Sequence, residues 1–411
     1  RNVMDGLQEA PGIAHRRRHL MTLPVVIAGA GPVGLTTALA LSQRDIEVIV
    51  VDHADGIDPR MRASTFHPPT LDFLDDLGVA APLVAAGIQV RRWQMRQHES
   101  DEQVTFDMQT IADRTRHPYR LQLPQQRLCE VLLDELGKRG VEIHFRTTLT
   151  HAVDHDQGVS IAINGLGDLK AGWLIGADGS RSAVRQSMGL DYGGKTYTHA
   201  SVLVSTTFPF HEHLTDLTDV AYSWSARGPF SLLRQPSLWR ASLYPGLESL
   251  GEAATEDRVR EWLAFIAPEA RDAEIVDISP YRVHERCVST FRVGRMMLAG
   301  DAAHLNPPSG GMGMNGGIHD AINLAEKLAL VIGGEDDALL DHYSRQRLFV
   351  ASEAVIPQAV QHRRRMMVID RDMQLERLAE QRAIASDPER VRDFLLRASM
   401  IAGLEAADGV E

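Results

Sequence analysis

One hexapeptide constrains this chain more than any other stretch: Gly29-Ala30-Gly31-Pro32-Val33-Gly34. It follows the apolar run Leu23–Ala28 and opens Val33–Arg44, which reads as a helix. Glu47–Val51 then reads as a second buried strand, ending in Asp52. Strand, glycine turn, helix and strand make a β-α-β unit. In such a unit the first glycine permits the tight turn. The second lets backbone approach a pyrophosphate, and the third lets helix pack on strand. The helix N-terminus adds oriented N–H groups and partial positive charge. Asp52 can accept hydrogen bonds from ribose hydroxyls. Gly29, Gly31, Pro32, Val33, Gly34 and Asp52 are therefore candidate dinucleotide-binding residues; a bare β-α turn is the bland alternative.

The same glycines decide how the N-terminus is read. Arg16, Arg17 and Arg18 precede an uncharged stretch from Leu23 to Gln43, which superficially resembles a signal peptide or membrane span. The glycines and Pro32 assign it to the dinucleotide unit instead. Residues 1–21 read as a tail or an expression remnant, with Met21 a plausible natural start.

Pro69–Leu77 reads as a helix stopped by Gly78. Gln125–Arg139 is amphipathic, with Leu128, Val131, Leu132 and Leu136 on one face and Gly140 at its end. Val141–Phe145 and Val159–Ile163 alternate as strands, and Trp173–Ala177 is a buried strand running into Asp178. After about residue 195 the character changes. Ser201–Phe208, Val220–Ser225, Phe230–Arg234 and Leu238–Tyr244 read as strands, with one helix at Thr255–Ile266. Met296–Ala299 returns to a buried strand, and the chain is largely helical from Asn315.

The expected fold class is α/β: a Rossmann-like dinucleotide domain, an inserted mostly antiparallel β-sheet substrate domain and a helical C-terminal tail. The expected divisions are 22–195 with 285–335 for the first domain, including a minor β excursion, 196–284 for the second, and 336–411 for the tail. At 411 residues, 44% hydrophobic and 24% charged, the composition is that of a globular protein. The net charge of −12 disfavours a general nucleic-acid binder. Cys129 and Cys287 form no CxxC pair, so neither a disulfide scaffold nor a metal site is expected, and a reducing cytoplasm is the default.

Two further motifs decide which dinucleotide is expected. Asp178-Gly179-Ser180-Arg181-Ser182-Ala183-Val184-Arg185 fits DGxxSxxR after a strand. Gly300-Asp301-Ala302-Ala303-His304 is followed by Pro307-Pro308-Ser309-Gly310-Gly311-Met312-Gly313-Met314-Asn315. In this order, and over roughly residues 23 to 350, the trio resembles the single-component FAD-dependent aromatic hydroxylases, the para-hydroxybenzoate hydroxylase class. The chain looks like the shorter type, without a C-terminal thioredoxin-like domain and without a separate NAD(P)H domain.

The resemblance implies FAD as cofactor and NADH or NADPH as co-substrate. It implies that Asp178 lies near the FAD pyrophosphate and that Arg185 orients its loop, although a surface ion pair is the alternative for Arg185. Arg62 matches an arginine that contacts FAD phosphates in relatives. Gln125 matches a flavin-contacting glutamine, with Gln126 as the alternative. From the residues themselves, Asp301 ends a strand at the sheet edge where α/β proteins bind ligands. Gly300, Gly311, Met312, Gly313, Met314 and Asn315 offer backbone and a helix start to a planar ring whose reduced form is anionic.

The implied reaction is hydroxylation of a small aromatic substrate with O2, through a flavin C4a-hydroperoxide. The protein must hold the ring, exclude water and help deprotonate a phenol. Candidate pocket residues are Tyr222, Arg234, Arg240 and Tyr244, with Pro307 offering its carbonyl and His304 as a proton relay or a structural histidine. Strand-face charges in water are the alternative for Arg234 and Arg240. Met312, Met314, Phe230 and Trp224 suit either an apolar ring or plain core. Arg363-Arg364-Arg365 reads as a solvated helix face. No Trp-x-Trp-x-Ile-Pro motif of a halogenase is present. Quinone-precursor hydroxylation, epoxidation and a non-catalytic flavin-binding role remain open, as does a homodimer; no membrane partner is expected.

Overall fold

The computed structural model describes residues 23–246 and 249–411. The tail expected at residues 1–21 lies outside the described residues. A six-stranded sheet has the order Arg292–Val293, Met296–Leu298, Trp173–Gly176, Val25–Ala28, Val48–Val51, Glu142–His144. Its pairings are parallel except at the Arg292–Val293 edge. Val25, Val26 and Ile27 are fully buried, as expected of a strand covered on both faces. Helix Pro32–Ser42 follows the glycine turn, and helix Gln125–Lys138 buries Leu128, Cys129, Leu132 and Leu136. Gly78 and Gly140, both with positive φ, lie just past helix ends.

The second sheet is eight-stranded, in the order His304–Leu305, Ile275–Cys287, Gly193–Thr206, Trp239–Leu243, Phe230–Arg234, Val220–Trp224, Arg92–Gln97, Glu102–Asp107. It is antiparallel except where Val220–Trp224 runs parallel to Arg92–Gln97. It takes in Arg92–Gln97 and Glu102–Asp107, which the expected division left with the first domain. Ile275–Cys287 also went unread as a strand. Its exposure follows no clean period of two, because most of its residues are only half-buried.

His304 and Leu305 pair with Cys287 and Arg286, so the segment after Asp301 is stitched to the second sheet. That stitch places the glycine-rich loop between the two sheets. A small third sheet, Thr65–Phe66, Arg120–Gln122 and Ile88–Val90, approaches the same loop. The helical tail packs in two places. Leu340 and Tyr343 join the first core, whereas Leu378 and Leu395 cover Trp93 and Phe106 of the second sheet. Phe394 lies 4.7 Å from the Phe106 ring. Among the described residues, no helix is long and apolar enough to cross a membrane.

Candidate active site

The glycine turn has the geometry its spacing demands. Gly29 has φ +109°, and a Cβ there would lie 2.2 Å from the Ala177 carbonyl oxygen. A Cβ on Gly34 would lie 1.9 Å from the Gly29 oxygen, whereas one on Gly31 would meet only open space. Pro32 starts the helix, which has no side-chain cap. Asp52 pins the turn, accepting from Ala30 N at 2.6 Å and Ala54 N at 2.7 Å. Val33 faces the packing instead: its Cγ2 would lie 2.6 Å from a Cβ on Gly317 and 3.0 Å from one on Gly300.

The second motif is a clamp. Asp178 Oδ2 accepts from Ala183 N at 2.7 Å and Val184 N at 3.3 Å, while Oδ1 is buried with no partner. Burial raises this carboxyl above the usual range. Arg185 is buried, so it is no surface ion pair. It donates to Ala302 O at 3.0 Å and Ser180 O at 2.9 Å and stacks 4.0 Å over the Tyr192 ring. The second and third motifs are joined in this way. Tyr192 Oη donates to Asp301 O at 2.7 Å. Asp301 is itself open to solvent, yet the protein around it raises its pKa, opposed by His304 and Arg62. Arg62 also pairs with Asp58 at 2.7 Å. Gln125 heads its helix, its N–H bonded to Ala63 O at 3.0 Å. Gln126 uses its amide nitrogen on Arg60 O at 2.5 Å.

The third motif departs in part from expectation. Gly310 and Gly311 have φ +87° and +68°. Helix Gly313–Ile332 begins with no side-chain cap, so the N–H groups of its first turn are free to face a ligand. The Asn315 side chain is not free. It donates to Thr65 O at 2.8 Å and Gly311 O at 2.7 Å and accepts from His67 N at 2.9 Å. Any cofactor contact there must come from backbone. The Met312 side chain packs behind the loop with Val350, Val355 and Met400, and Phe230 and Trp224 are core. Pro307 is buried, and its carbonyl accepts from Asn306 Nδ2 at 2.7 Å. His304 is not placed as a relay to substrate. Its Nε2 lies 2.8 Å from Asp320 Oδ2, and Asp320 also holds Arg347 Nε at 2.5 Å and Gly300 N at 2.9 Å.

On the substrate side, Arg234 is corrected outright. It is 39% exposed and pairs with Asp219 at 3.2 Å, the solvated reading. Arg240, six residues on, points inward: it is 6% exposed and donates to Ser64 Oγ at 2.6 Å. Burial lowers its pKa to about 10. Tyr244 lies beside Tyr281 and Ser309, and burial raises both tyrosines. Tyr222 is buried, with its ring edge-on to Trp93 at 5.8 Å and His362 at 4.9 Å. Arg120 Nη1 lies 3.4 Å from the Tyr222 hydroxyl. Arg363 is also corrected: it is buried, 4.7 Å over Tyr197 and 5.9 Å from the Tyr244 ring.

His67 Nε2 lies 2.8 Å from Gly310 O, tying the cluster to the glycine-rich loop. Burial, helped by the Arg120 charge, lowers His67 to about 3 and His362 to about 4. A neutral His67 bonded to a carbonyl carries its proton on Nε2, so Nδ1 presents a lone pair. As pH falls below about 6.5, the unfolded chain takes up a proton that folded His67 refuses, and stability is lost. The loss per histidine is about 1.4 kcal/mol for each pH unit until the folded pKa is reached. Urea midpoints at pH 7 and pH 5 should therefore differ less in His67→Gln than in the parent protein.

The FAD binding domain family profile matches residues 22–357. The chain is 33% identical over 380 residues to para-nitrophenol 4-monooxygenase of Pseudomonas sp. (strain WBC-3), covering 90% of this chain and 94% of that one. It is 30% identical to 6-hydroxy-3-succinoylpyridine 3-monooxygenase of Pseudomonas putida, with 90% and 96% covered. The crystal structure of p-nitrophenol 4-monooxygenase from Pseudomonas putida DLL-E4 superposes with a TM-score of 0.86 at 30% identity, covering 92% and 98%. This chain belongs to the FAD-dependent aromatic monooxygenases.

The residues present fit FAD. The open space at Gly31 suits a pyrophosphate, and the orphaned Asp178 Oδ1 and the open Asp301 carboxylate are unspent acceptors. Two uncapped helix starts, at Pro32 and Gly313, supply N–H groups. For this monooxygenase the sequence pattern left Arg120, His67 and His362 unmarked. None lies in a recognisable motif, and each is brought in by a different segment. The one available signal was the alternation of polar Arg120 and Gln122 with apolar Leu121 and Leu123.

Proposed function

We propose that this monooxygenase hydroxylates a small phenol or hydroxylated N-heteroaromatic, using NAD(P)H and O2. The observation that carries it is the buried polar cluster of Arg120, Tyr222, Tyr244 and His67 directly under Ser309 and Gly310 of the glycine-rich loop. FAD, when bound, stores the reducing electrons and activates O2 for transfer to the ring. Backbone at Gly31, Pro32 and Val33 holds the pyrophosphate, and Asp52 the ribose. Arg62 and Asp178 flank the phosphates, Asp301 takes ribityl hydroxyls, and Gln125 approaches the flavin edge. The N–H groups around Met312, Gly313, Met314 and Asn315 stabilise negative charge on the reduced ring, while the Gly311 N–H is held by Pro308 O at 3.0 Å. Tyr222 contacts substrate, and the surrounding core excludes water. A small ring is favoured by the 33% and 30% identity, each over 90% of this chain, to para-nitrophenol 4-monooxygenase and 6-hydroxy-3-succinoylpyridine 3-monooxygenase.

The test is direct. The purified protein should show a flavin spectrum, and 4-nitrophenol, a hydroxybenzoate or a hydroxypyridine should stimulate its oxidation of NADH or NADPH. The product should be heavier than the ring by one oxygen, or, where nitrite is displaced, carry oxygen in its place. Failure to bind FAD after reconstitution would overturn the reading.

A further inference from the structure

Beyond its first turn, helix Gly313–Ile332 borders a cavity of about 330 Å3. His319 and Ile322 of that helix line it, together with Arg347, Phe73 of helix Pro68–Asp76, and Leu404 and Ala407 of helix Ile401–Asp408. No residue assigned above to FAD or to the substrate borders this space. Small-molecule sites begin at about 300 Å3, and a cavity of about 150 Å3 already holds benzene, so the space suits one substituted ring.

Its chemistry is graded from floor to mouth. Arg347 and His319 are each 2% exposed and form the floor. Arg347 gives Nε to Asp320 and Nη2 to Gly316 O at 3.3 Å, and its Nη1 has no hydrogen bond among the described residues. His319 Nε2 lies 2.8 Å from Thr70 Oγ1, and its Nδ1 has no partner. Burial, helped by the Arg347 charge, holds His319 well below its ordinary pKa, so it is neutral. Both cations are already matched, Arg347 by Asp320 and Arg114 by Glu405. Exposed Glu326 and Asp408 stand at the mouth. An anion would meet those carboxylates, and a cation would meet the guanidinium. An uncharged molecule meets neither penalty: its ring lies against Phe73, Ile322 and Leu404, and an acceptor oxygen reaches the unspent donor of Arg347.

We propose that this cavity is a second ligand site, which takes a small uncharged ring bearing a carbonyl oxygen and signals its occupancy to the flavin loop. Two connections carry the signal. Asp320, beside His319 in the chain, joins Arg347 to Gly300 N at 2.9 Å, under the Gly300-Asp301 turn. On the other wall, Ala407 belongs to the same core as Met312 and Met400. Met400 immediately precedes helix Ile401–Asp408 and has φ +68°, a conformation that side-chain-bearing residues adopt only when their surroundings enforce it. Its Cε would lie 3.8 Å from a Cβ on Gly316, in the first turn of the flavin helix. A ligand that draws on Arg347 and presses on helix Ile401–Asp408 therefore acts on both supports of the loop.

The test uses the FAD-loaded protein and fluorine NMR, with FAD content measured first. The probe is 4-fluorobenzamide. Its controls, 4-fluorobenzoate, 4-fluorobenzylamine and 4-fluorotoluene, replace the neutral carbonyl with an anion, a cation and no acceptor. Ile322→Trp fills the cavity, so binding that this variant abolishes belongs to the cavity and binding that survives belongs to the substrate cluster. The benzamide should show a cavity component with Kd below about 1 mM, at least about fivefold tighter than any control. Arg347→Lys keeps a cation beside Asp320 but lacks Nη1, and should cost that component about fivefold. The benzamide should also perturb the flavin absorbance with the same Kd, in the parent protein and not in Ile322→Trp. The proposal is overturned if Ile322→Trp keeps all the binding with FAD retained, if a control matches the benzamide in the cavity, or if the flavin absorbance does not respond to cavity binding. Should Ile322→Trp fail to fold, Leu404→Trp, at the half-buried wall, decides on the same readouts.

Discussion

Replacing Gly34 with alanine should leave little folded protein, whereas replacing Gly31 with valine should leave a folded protein that binds FAD far more weakly. The difference is steric. A Cβ at Gly34 would lie 1.9 Å from the Gly29 carbonyl oxygen, backbone that cannot step aside. The helix Pro32–Ser42 would have to lift off the strand beneath it, at a cost of about 3 kcal/mol or more. Gly31 has φ −82° and ψ −177°, extended backbone that any residue adopts, and its missing side chain faces open space. Valine there should leave the thermal midpoint of the FAD-free protein within a few degrees of the parent. It should weaken FAD binding by about a hundredfold, through overlap with the pyrophosphate. Thermal denaturation of both variants without FAD, followed by FAD titration, separates the two effects. A Gly31→Val protein with parental FAD affinity would place the pyrophosphate elsewhere.

The second large effect is expected at Asp320, which sits under the Gly300-Asp301 turn and bonds Gly300 N, His304 and Arg347 together. Asp320→Ala would leave the Arg347 guanidinium buried with one carbonyl, Gly316 O at 3.3 Å. The expected cost is about 3–5 kcal/mol, read as a fall in denaturation midpoint. Asp320→Asn should cost less, since the amide oxygen can still accept from Gly300 N. Burial pushes this carboxyl up, but Arg347 and His304 override it and hold it at about 2. The folded pKa is thus below the unfolded value of about 3.9. The stabilisation is complete above the unfolded pKa and is lost as pH falls through about 2. The parent protein should lose stability over that acid window, and Asp320→Ala should lose less. Equal acid profiles would show that the cluster does not contribute as an ion pair.

How much was legible in the sequence depends on distance along the chain. The glycine turn, Asp52, the Asp178 loop and the glycine-rich loop after Asp301 are each written within about a dozen residues. Their backbone geometry is set locally, so their spacing reports it. The Rossmann-like sheet was equally legible, because strands covered on both faces read as unbroken apolar runs. The second sheet was less so. Ile275–Cys287 is half-buried along its length, and Arg92–Gln97 joins the sheet only through pairing with Val220–Trp224.

The site residues divide on the same line. Arg234 and Arg240 lie on neighbouring antiparallel strands, and sequence treats them alike. Only the register, with Leu233 opposite Arg240 and Arg234 opposite Trp239, decides that one meets water and the other the interior. His304 read as a relay or a structural group until Asp320, on the next helix, took its nitrogen. Asn315 looked free until Thr65 and His67 occupied its amide. Sequence alone determined the β-α-β unit and the glycine-rich loop, because steric limits on glycine backbone act between near neighbours, and FAD followed from the family resemblance that the three motifs carry. The tertiary structure alone decided which charges are buried together, since Arg120, Tyr222, Tyr244 and His362 come from remote segments and burial is a property of the packed whole.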